Sequence, residues 1–289
     1  MADLETHYIL TFAAEDRIGI VAAVSGFLAE RDGFILDSQQ YADVETGRFF
    51  MRVEFKGAGP LFPADIDAVR AQFAPVAERF GLDWTMVSSA ARLKVIIAVS
   101  KGSHCLNDLL HRWSTGALTV DIGGVVSNHE SCRALTEWHG LPFHHLPVGP
   151  DSKAAQEAAI LDLIEASGTE LLVLARYMQV LSTDLAQRLH GRCINIHHSF
   201  LPGFKGARPY HRAHDRGVKL IGATAHYVTA DLDEGPIIEQ AVERVDHRAS
   251  VDDMIHIGRD IEARVLARAV GWAAERRILL NGGKTVIFR

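Results

Sequence analysis

Hydrophobic and polar residues follow one pattern before residues 86–92 and another after them. In the first part, strand-like and helical segments alternate in the order βαββαβ. This order is typical of a ferredoxin-like split βαβ fold, in which a four-stranded antiparallel sheet carries two helices on one face. The predicted segments are 8–13, 18–31, 34–43, 48–56, 64–80 and 83–87.

After the small-residue link at 88–91, strands and helices alternate. The runs VIIAV at 95–99 and LLVLA at 171–175 are continuously apolar, which indicates burial on both faces, as in a parallel sheet covered by helices. We therefore predict an α/β protein with an antiparallel domain over 1–87 and a mostly parallel, doubly wound domain over 92–289. The second domain's predicted strands are 93–100, 120–126, 143–147, 170–175, 192–197, 222–228, 237–245 and 285–288, and its predicted helices are 106–113, 131–139, 152–166, 182–190 and 251–277.

Composition and charge narrow the class of partner. The chain is 48% hydrophobic and 23% charged, which is typical of a folded protein. Its first 90 residues hold 14 acidic and 7 basic residues, and the remainder holds 22 acidic and 23 basic residues, so no broad basic surface for nucleic acid is expected. No apolar run approaches the roughly 20 residues that cross a bilayer, and the start, MADLETHY, lacks the basic flank of a signal peptide. We expect a cytoplasmic protein with a small-molecule partner and neither a nucleic-acid nor a membrane partner.

Several kinds of site have no signature in the chain. Cys105, Cys132 and Cys193 are far apart and lack CxxC spacing, so we expect reduced, partly buried thiols. The sequence contains no HExxH metal motif, no GxSxG elbow and no complete glycine-rich nucleotide loop. The sequence favours a metal-free addition to a carbonyl group, with no tightly bound cofactor.

The densest polar cluster, Asn-Ile-His-His-Ser at 195–199, ends a predicted buried strand. Strand alternation places Asn195 and His197 on one face. Carbonyl chemistry needs an amide donor for the developing oxyanion and an imidazole that moves a proton near neutral pH. In the alternative interpretation, both side chains only complete hydrogen bonding at the strand end.

Two loops follow this cluster. The glycine- and proline-rich segment 200–210 is predicted to be a functional loop or a lid. The acidic turn 231–234 follows another strand, and a carboxylate there could orient a water and hold a nearby imidazole protonated. Taken alone, such acids are more often solvated turn residues.

The motifs NIHHSFLP at 195–202, GARPYHRA at 206–213 and HYVTADLDEGPII at 226–238 resemble the folate-dependent formyltransferases over about residues 92–280. The resemblance implies a catalytic trio of Asn195, His197 and Asp233. It also implies a pterin pocket between 175–181 and 228–233. The side chains expected to bind substrate there are Met178, Leu181, Val228 and Thr229.

The basic residues Lys205, Arg208 and Arg212 are candidates for the carboxylates of the folate tail, and the sequence does not choose among them. Periodicity alone would interpret Met178 and Leu181 as ordinary core residues.

The turn DRIGI at 16–20 resembles the DxxGI turn of ACT domains, which bind small amino acids and pair between subunits. The resemblance implies that Asp16 receives an amino group of an effector such as glycine or methionine, while Gly19 lets the backbone approach it. Alternatively, both residues only shape the turn. An ACT domain joined to a formyltransferase-like domain is the arrangement of formyltetrahydrofolate deformylases, which implies a homo-oligomer, either a dimer or a tetramer.

The acceptor of the formyl group separates the members of this fold. Bulky His104, Cys105 and Leu106 follow the first parallel strand and leave less room for the phosphate of a ribonucleotide. The near-neutral charge after residue 90 indicates no basic tRNA-binding domain. We therefore expect water as acceptor and 10-formyltetrahydrofolate as substrate, giving tetrahydrofolate and formate. Transfer to an amine such as glycinamide ribonucleotide, and a folate- and amino-acid-sensing binding protein, are the alternatives.

Overall fold

A computed structural model of the protein describes residues 7–149, 151–203 and 209–289. The chain divides into two compact units. The first contains the chain up to Arg92 together with Glu275–Asn281 and Thr285–Arg289, and the second contains Leu93–Ala274 and Gly282–Lys284. The predicted second domain covers 92–289, whereas this structural division places Glu275–Asn281 and Thr285–Arg289 with the first unit.

The first unit has the predicted βαββαβ order. All strand pairs of its sheet are antiparallel, and the strand order is β2-β3-β1-β4. Apolar residues of the sheet, including Leu10 and Phe12, pack in one core with Phe27 and Phe73 of the two helices. The elements are β1 (Tyr8–Glu15), α1 (Ile20–Ala29), β2 (Gly33–Asp43), β3 (Arg48–Gly57), α2 (Ile66–Phe80) and β4 (Asp83–Ser88).

The C-terminal hairpin, β12 (Ile278–Asn281) and β13 (Lys284–Ile287), precedes Phe288, which packs with Ala13 and Phe50 in a small second core of the first unit. Within the same unit, the Asn281 amide donates a hydrogen bond of 2.6 Å to Asp43. The predicted helix 251–277 is too long, because the helix ends at Ala274 and the chain then takes a left-handed conformation at Arg276.

The second unit confirms the predicted mostly parallel α/β class. Its seven-stranded sheet has the order β11-β10-β9-β8-β5-β6-β7. Strands β5 to β9 pair in parallel, and β10 and β11 continue the sheet antiparallel. The strands are β5 (Leu93–Val99), β6 (Val120–Ser127), β7 (Phe143–His145), β8 (Leu171–Leu174), β9 (Cys193–His197), β10 (Leu220–Tyr227) and β11 (Ile237–Arg244).

Besides the shorter α8, the helices of the second unit differ from the predicted ones at α7, which is not predicted and falls partly in the expected loop 200–210. A single 3-10 turn, Glu130–Cys132, precedes α4. The helices are α3 (His104–Ser114), α4 (Arg133–Trp138), α5 (Lys153–Ser167), α6 (Thr183–Arg188), α7 (Pro209–Asp215) and α8 (Val251–Ala274).

The carboxyl ends of the central strands are joined by side-chain hydrogen bonds. After β5, the Ser100 hydroxyl donates to Asn128 at 2.7 Å and accepts from the Met178 backbone N–H at 2.9 Å. Strands β5 and β8 are neighbours although the chain forms β6 and β7 between them. This is the switch point at which open parallel sheets bind ligands.

All three cysteines are buried and free, as the sequence predicts. Within the described ranges, none of the helices combines the length and the apolar character needed to span a membrane. The cytoplasmic location stays a prediction.

Candidate active site

Strands β9 and β10 bring the predicted polar cluster together with a histidine that sequence reasoning did not assign. In their antiparallel register, His226 lies opposite Asn195, and Thr224 lies opposite His197. The Nδ1 atom of His226 lies 2.9 Å from the Tyr227 carbonyl oxygen, so it donates, and Nε2 is left to accept. Asn195 Nδ2 lies 3.2 Å from that Nε2. One N–H of the Asn195 amide is thereby used, and the other is available to a ligand.

The two ends of the loop between β10 and β11 lie next to each other. The Tyr227 N–H donates to the Pro236 carbonyl at 2.9 Å, which closes the base of the loop. A Cβ on Gly235 would lie 1.8 Å from the Tyr227 carbonyl oxygen, so only glycine fits there. Asp233, two residues earlier, adopts a left-handed conformation with φ of 58°. Strained backbone of this kind persists where the surrounding structure enforces it, often at functional sites.

This loop directs the Asp233 carboxylate at two histidines. Its Oδ1 atom lies 3.3 Å from His197 Nδ1 and 3.7 Å from His226 Nε2. Burial alone would raise the pKa of the Asp233 carboxyl, but its contacts with the histidines, the strongest of which is the hydrogen bond from His197, outweigh burial and hold the pKa well below its ordinary value. Asp233 is therefore an ionised carboxylate at neutral pH.

His197 carries an unused donor or acceptor at the centre of this arrangement. Its side chain is only 5% exposed, and Asp233 takes its Nδ1 atom. Its Nε2 atom is buried and has no hydrogen-bond partner among the residues that the structure describes. A buried polar atom of this kind calls for a ligand, because leaving it unpaired costs about 1–3 kcal/mol.

A cavity of about 330 Å³ contains the trio Asn195, His197 and Asp233. Its walls are formed by 176–181 and 228–233, which are nearly the two segments expected to hold a pterin ring. Ligand pockets of this type combine apolar walls with a few convergent polar groups.

The expected substrate-binding residues all line this cavity but differ in character. Met178 is 58% exposed and is therefore not an ordinary core residue. Leu181 and Val228 are partly buried and also pack against the core of the second unit. The Thr229 hydroxyl donates to the Asp231 carbonyl at 3.0 Å, so it shapes the loop as well.

The remaining predicted residues lie elsewhere. Lys205 and Arg208 fall outside the described residues, and Arg212 lies on α7. Asp16 is exposed in the first unit. Gly19 has a φ of 96° at the start of α1, a conformation that favours glycine.

Known proteins resemble this chain over most of its length. The Formyl transferase family profile matches residues 93–270. A formyltetrahydrofolate deformylase of Corynebacterium sp. (strain P-1) is 50% identical over 285 residues, which is 99% of each chain. The chain belongs to the formyltetrahydrofolate deformylase family. A further deformylase, from Bacillus subtilis (strain 168), is 49% identical and covers 96% of this chain and 93% of its own.

The solved deformylase structures match nearly all of this chain, whereas the solved transformylase structures match about two thirds of it. A formyltetrahydrofolate deformylase from Burkholderia mallei ATCC 23344 superposes with a TM-score of 0.94 at 53% identity, covering 98% of this chain and 99% of its own. A glycinamide ribonucleotide transformylase 1 from Symbiobacterium toebii reaches a TM-score of 0.62 at 29% identity and covers 68% of this chain and 95% of its own. The likeness to the deformylase thus extends over both units.

Sequence reasoning missed two features of this deformylase-family site. The first is His226, which the register of β10 against β9 could have revealed. The second is Glu262, a 1% exposed acid that follows buried Met254, Gly258 and Ile261 on α8. A charged residue on the apolar face of a helix is the sequence signal for it.

Glu262, His104 and Cys105 together are spaced for a metal ion, but the surrounding charges oppose one. The Arg176 guanidinium lies 3.3 Å from Glu262 Oε2, the same oxygen that His104 approaches at 2.7 Å. Burial, together with the charge of Glu262, raises the pKa of the Cys105 thiol well above its ordinary value, so it remains protonated and a poor ligand. We interpret the cluster as an ion-pair network.

Proposed function

We propose that the protein hydrolyses 10-formyltetrahydrofolate to tetrahydrofolate and formate. The observation that carries this proposal is the His197 imidazole, which has Asp233 at Nδ1 and a buried Nε2 without a partner among the described residues. The Asn195 amide lines the same cavity. These groups supply an oxyanion donor, a proton carrier and a carboxylate around one small space.

The proposed reaction begins with a water held by Asp233. Both histidines contact Oδ1, so Oδ2 is the oxygen on which the water would be held. The water attacks the formyl carbon, and the oxygen of the tetrahedral adduct accepts hydrogen bonds from the second Asn195 N–H and from the protonated His197 Nε2. The water gives up one proton to Asp233 as it attacks, and His197 Nε2 gives its own proton to N10. The C–N bond then breaks, tetrahydrofolate leaves, Asp233 passes its proton on to His197, and the formic acid that is released ionises to formate.

The cavity suits the folate substrate. Its apolar walls would hold the pterin ring, while backbone groups of the two wall segments would bind the ring's polar edge. Arg212 remains a candidate for the carboxylates of the tail, as do Lys205 and Arg208. No tightly bound cofactor enters the proposed reaction.

Water is the acceptor that fits the start of α3. The ring of His104 lies over Gly102, where a Cβ would be 3.7 Å from it, and its Nε2 is held by Glu262. The first turn of α3 is thereby occupied by a side chain of the protein. This favours hydrolysis over transfer to a phosphate-bearing amine, which the same trio could catalyse.

The test is turnover without an amine. Purified protein with 10-formyltetrahydrofolate alone should release tetrahydrofolate and formate in equal amounts. Asn195→Ala, His197→Ala and Asp233→Asn should each reduce kcat on the order of 10²-fold or more, as loss of an oxyanion donor does. Asp184→Asn, a 74% exposed side chain on α6, is the matched control and should retain full activity. Near-native rates in folded trio variants, or turnover only on addition of glycinamide ribonucleotide, would exclude the proposal.

We further propose that the first unit is an ACT-type effector domain through which copies of the chain associate into a dimer or tetramer. Its βαββαβ sheet, the left-handed Gly19 and the exposed Asp16 beside it support an amino-acid site. The edge strand β2 exposes Phe34 and Tyr41, and unpaired edges of this kind invite a second strand.

Calorimetric titration with glycine and methionine tests the effector site. Binding that disappears in Asp16→Ala would support it, and the absence of heat from either ligand would exclude these two effectors. Light scattering of the eluted protein would give the number of subunits, and a monomer would exclude the assembly.

A further inference from the structure

A buried carboxylate on α8 joins three segments of the second unit. Glu262 Oε2 lies 2.7 Å from His104 Nε2 and 3.3 Å from Arg176 Nε, while Oε1 accepts a 2.7 Å hydrogen bond from the Tyr210 hydroxyl. Gly258, one turn earlier on α8, makes room for this contact, because a Cβ there would lie 2.0 Å from the Tyr210 hydroxyl. The carboxylate therefore has a polar partner on each oxygen.

The charge state of Glu262 is fixed by these partners. Burial alone would raise the pKa of its carboxyl, but the hydrogen bond from His104 and the nearby charges of Arg176 and His104 outweigh burial and lower the pKa. An ionised, fully paired carboxylate can hold the Arg176 guanidinium in one position, since Arg binds carboxylates through a rigid planar fork.

Arg176 extends the network toward the catalytic histidine. Its backbone is left-handed, with φ of 65°, and its carbonyl accepts from the Ser100 N–H at 3.2 Å. Its Nη1 lies 2.5 Å from His198 Nδ1. Because a guanidinium can only donate, His198 Nδ1 must accept, and the proton of the neutral ring lies on Nε2. Arg176 thus selects both the orientation and the tautomer of His198.

His198 in turn lies against His197. The two rings are stacked, with centroids 4.8 Å apart and planes 20° from parallel. Among the described residues, Asp233 also orients His197, through the 3.3 Å contact with its Nδ1. The stacked ring defines the plane of His197, and with it the direction in which Nε2 points.

We propose that Arg176, anchored by Glu262, is a positioning residue that fixes His198 against His197 and so aims His197 Nε2 into the cavity. This inference rests on the role given to His197 under the proposed function. The inference explains why Arg176 has a left-handed backbone and why it pairs with Glu262, although neither residue takes part in the proposed reaction. Arg176 also lines the cavity, so direct contact with substrate is the competing role.

A double-mutant cycle separates the two roles. Arg176→Lys keeps the positive charge but loses the planar fork, and His198→Leu removes the acceptor and the stacked imidazole. We expect each single variant to lower kcat about 10- to 100-fold with KM within about twofold, since small misplacement of a catalytic group has effects of this size. The kcat of the double variant should be no lower than that of the more impaired single variant, because both changes break the same chain of contacts.

Arg188→Lys, in an exposed ion pair with Asp184 on α6, is the matched control and should leave kcat and KM unchanged. A raised KM with kcat unchanged in Arg176→Lys would overturn the proposal in favour of substrate contact. Losses that multiply in the double variant would overturn it as well, because the residues would then act independently.

The state of the His198 ring can be measured without any turnover, so this inference can be tested separately from the proposed function. In protein labelled with ¹⁵N-histidine, the His198 ring should show an unprotonated Nδ1 in the wild type and a mixture of tautomers in Arg176→Lys and Glu262→Gln. An unchanged His198 signal in folded variants would exclude the positioning role even if the protein hydrolyses formyltetrahydrofolate. If no formate is released but the signal changes as expected, the proposed function fails while the contact chain stands.

Discussion

At the residue scale, the surroundings of Asp233 determine what its carboxylate can do. The acids of the turn 231–234 look equivalent in the sequence, and a solvated role is the ordinary expectation for each. The structure distinguishes Asp233, because its side chain is only 11% exposed and contacts two histidines. A low pKa keeps it a carboxylate that can orient both a ring and a water.

The acid stability of the protein should depend on Asp233. Its pKa is lowered in the folded state, so its stabilising effect is complete above the unfolded value of about 3.9 and is lost as the pH falls toward the lower folded value. Asp233→Asn should therefore lower the free energy of unfolding near neutral pH, and the difference from wild type should narrow below about pH 4. Urea unfolding at both pH values checks this.

Asp184→Asn serves as the control, because an exposed ion pair contributes only about 0–1 kcal/mol. A difference between Asp233→Asn and wild type that stays constant with pH would show that the carboxylate is not held by charge.

Met178 offers a test of the cavity wall. Because its side chain is 58% exposed, Met178→Ala should change the free energy of unfolding by less than about 0.5 kcal/mol. It should raise KM for formyltetrahydrofolate about threefold to tenfold, since the wall loses roughly 1 kcal/mol of apolar contact. Steady-state kinetics and thermal unfolding measure the two effects, with the 66% exposed Leu61→Ala as control. An unchanged KM would remove Met178 from the pterin wall.

At the element scale, the sequence predicts most strands and helices of both units. Strand β9 is identifiable because the apolar Ile194 and Ile196 alternate with the polar Asn195 and His197. Strand β12 is missed because its sequence, ILLN, continues the apolar pattern of α8. The helix ends at Ala274, the backbone becomes left-handed two residues later at Arg276, and an arginine gives no turn signal.

The candidate site, like the strands and helices, is predicted from the sequence only in part. The trio can be proposed from motifs that lie far apart in the sequence, but the motifs do not show which group each side chain contacts. His226 and Glu262 act through pairing register and tertiary packing, which local periodicity does not encode.

The loop between β10 and β11 should be sensitive to a single methyl group. Gly235→Ala places a Cβ 1.8 Å from the Tyr227 carbonyl oxygen, so the loop base must open and Asp233 must move. We expect kcat to fall by about tenfold or more, as misplacement of a catalytic group does.

Gly271→Ala on α8 is the matched control, because its Cβ meets nothing within 4 Å and helix propensity favours alanine by about 1 kcal/mol. Full activity in Gly235→Ala would show that the loop tolerates the shift without moving Asp233.

At the scale of the whole molecule, the C-terminal hairpin belongs to the first unit except for Gly282–Lys284 at its turn. Phe288 is 6% exposed and packs with Ala13 and Phe50 on β1 and β3. Phe288→Ala should therefore lower the stability of the first unit by about 3 kcal/mol, as large-to-small core changes do. Hydrogen exchange of the β1 and β3 amides measures this directly.

Val44→Ala, at a 90% exposed position in the same unit, should leave that exchange unchanged. Faster exchange in Phe288→Ala that is confined to the second unit would contradict the assignment of the hairpin.

Because most residues after Ala274 belong to the first unit, the order of synthesis affects when that unit can fold completely. A ribosome synthesises β1 before the second unit, but the aromatic ring of Phe288, which covers Ala13 and Phe50, is synthesised after Ala274. The first unit is therefore completed only after most of the second unit has been synthesised. A fragment cut at residue 92 would lack part of its own interior, and an independent version would need residues 275–289 grafted onto it.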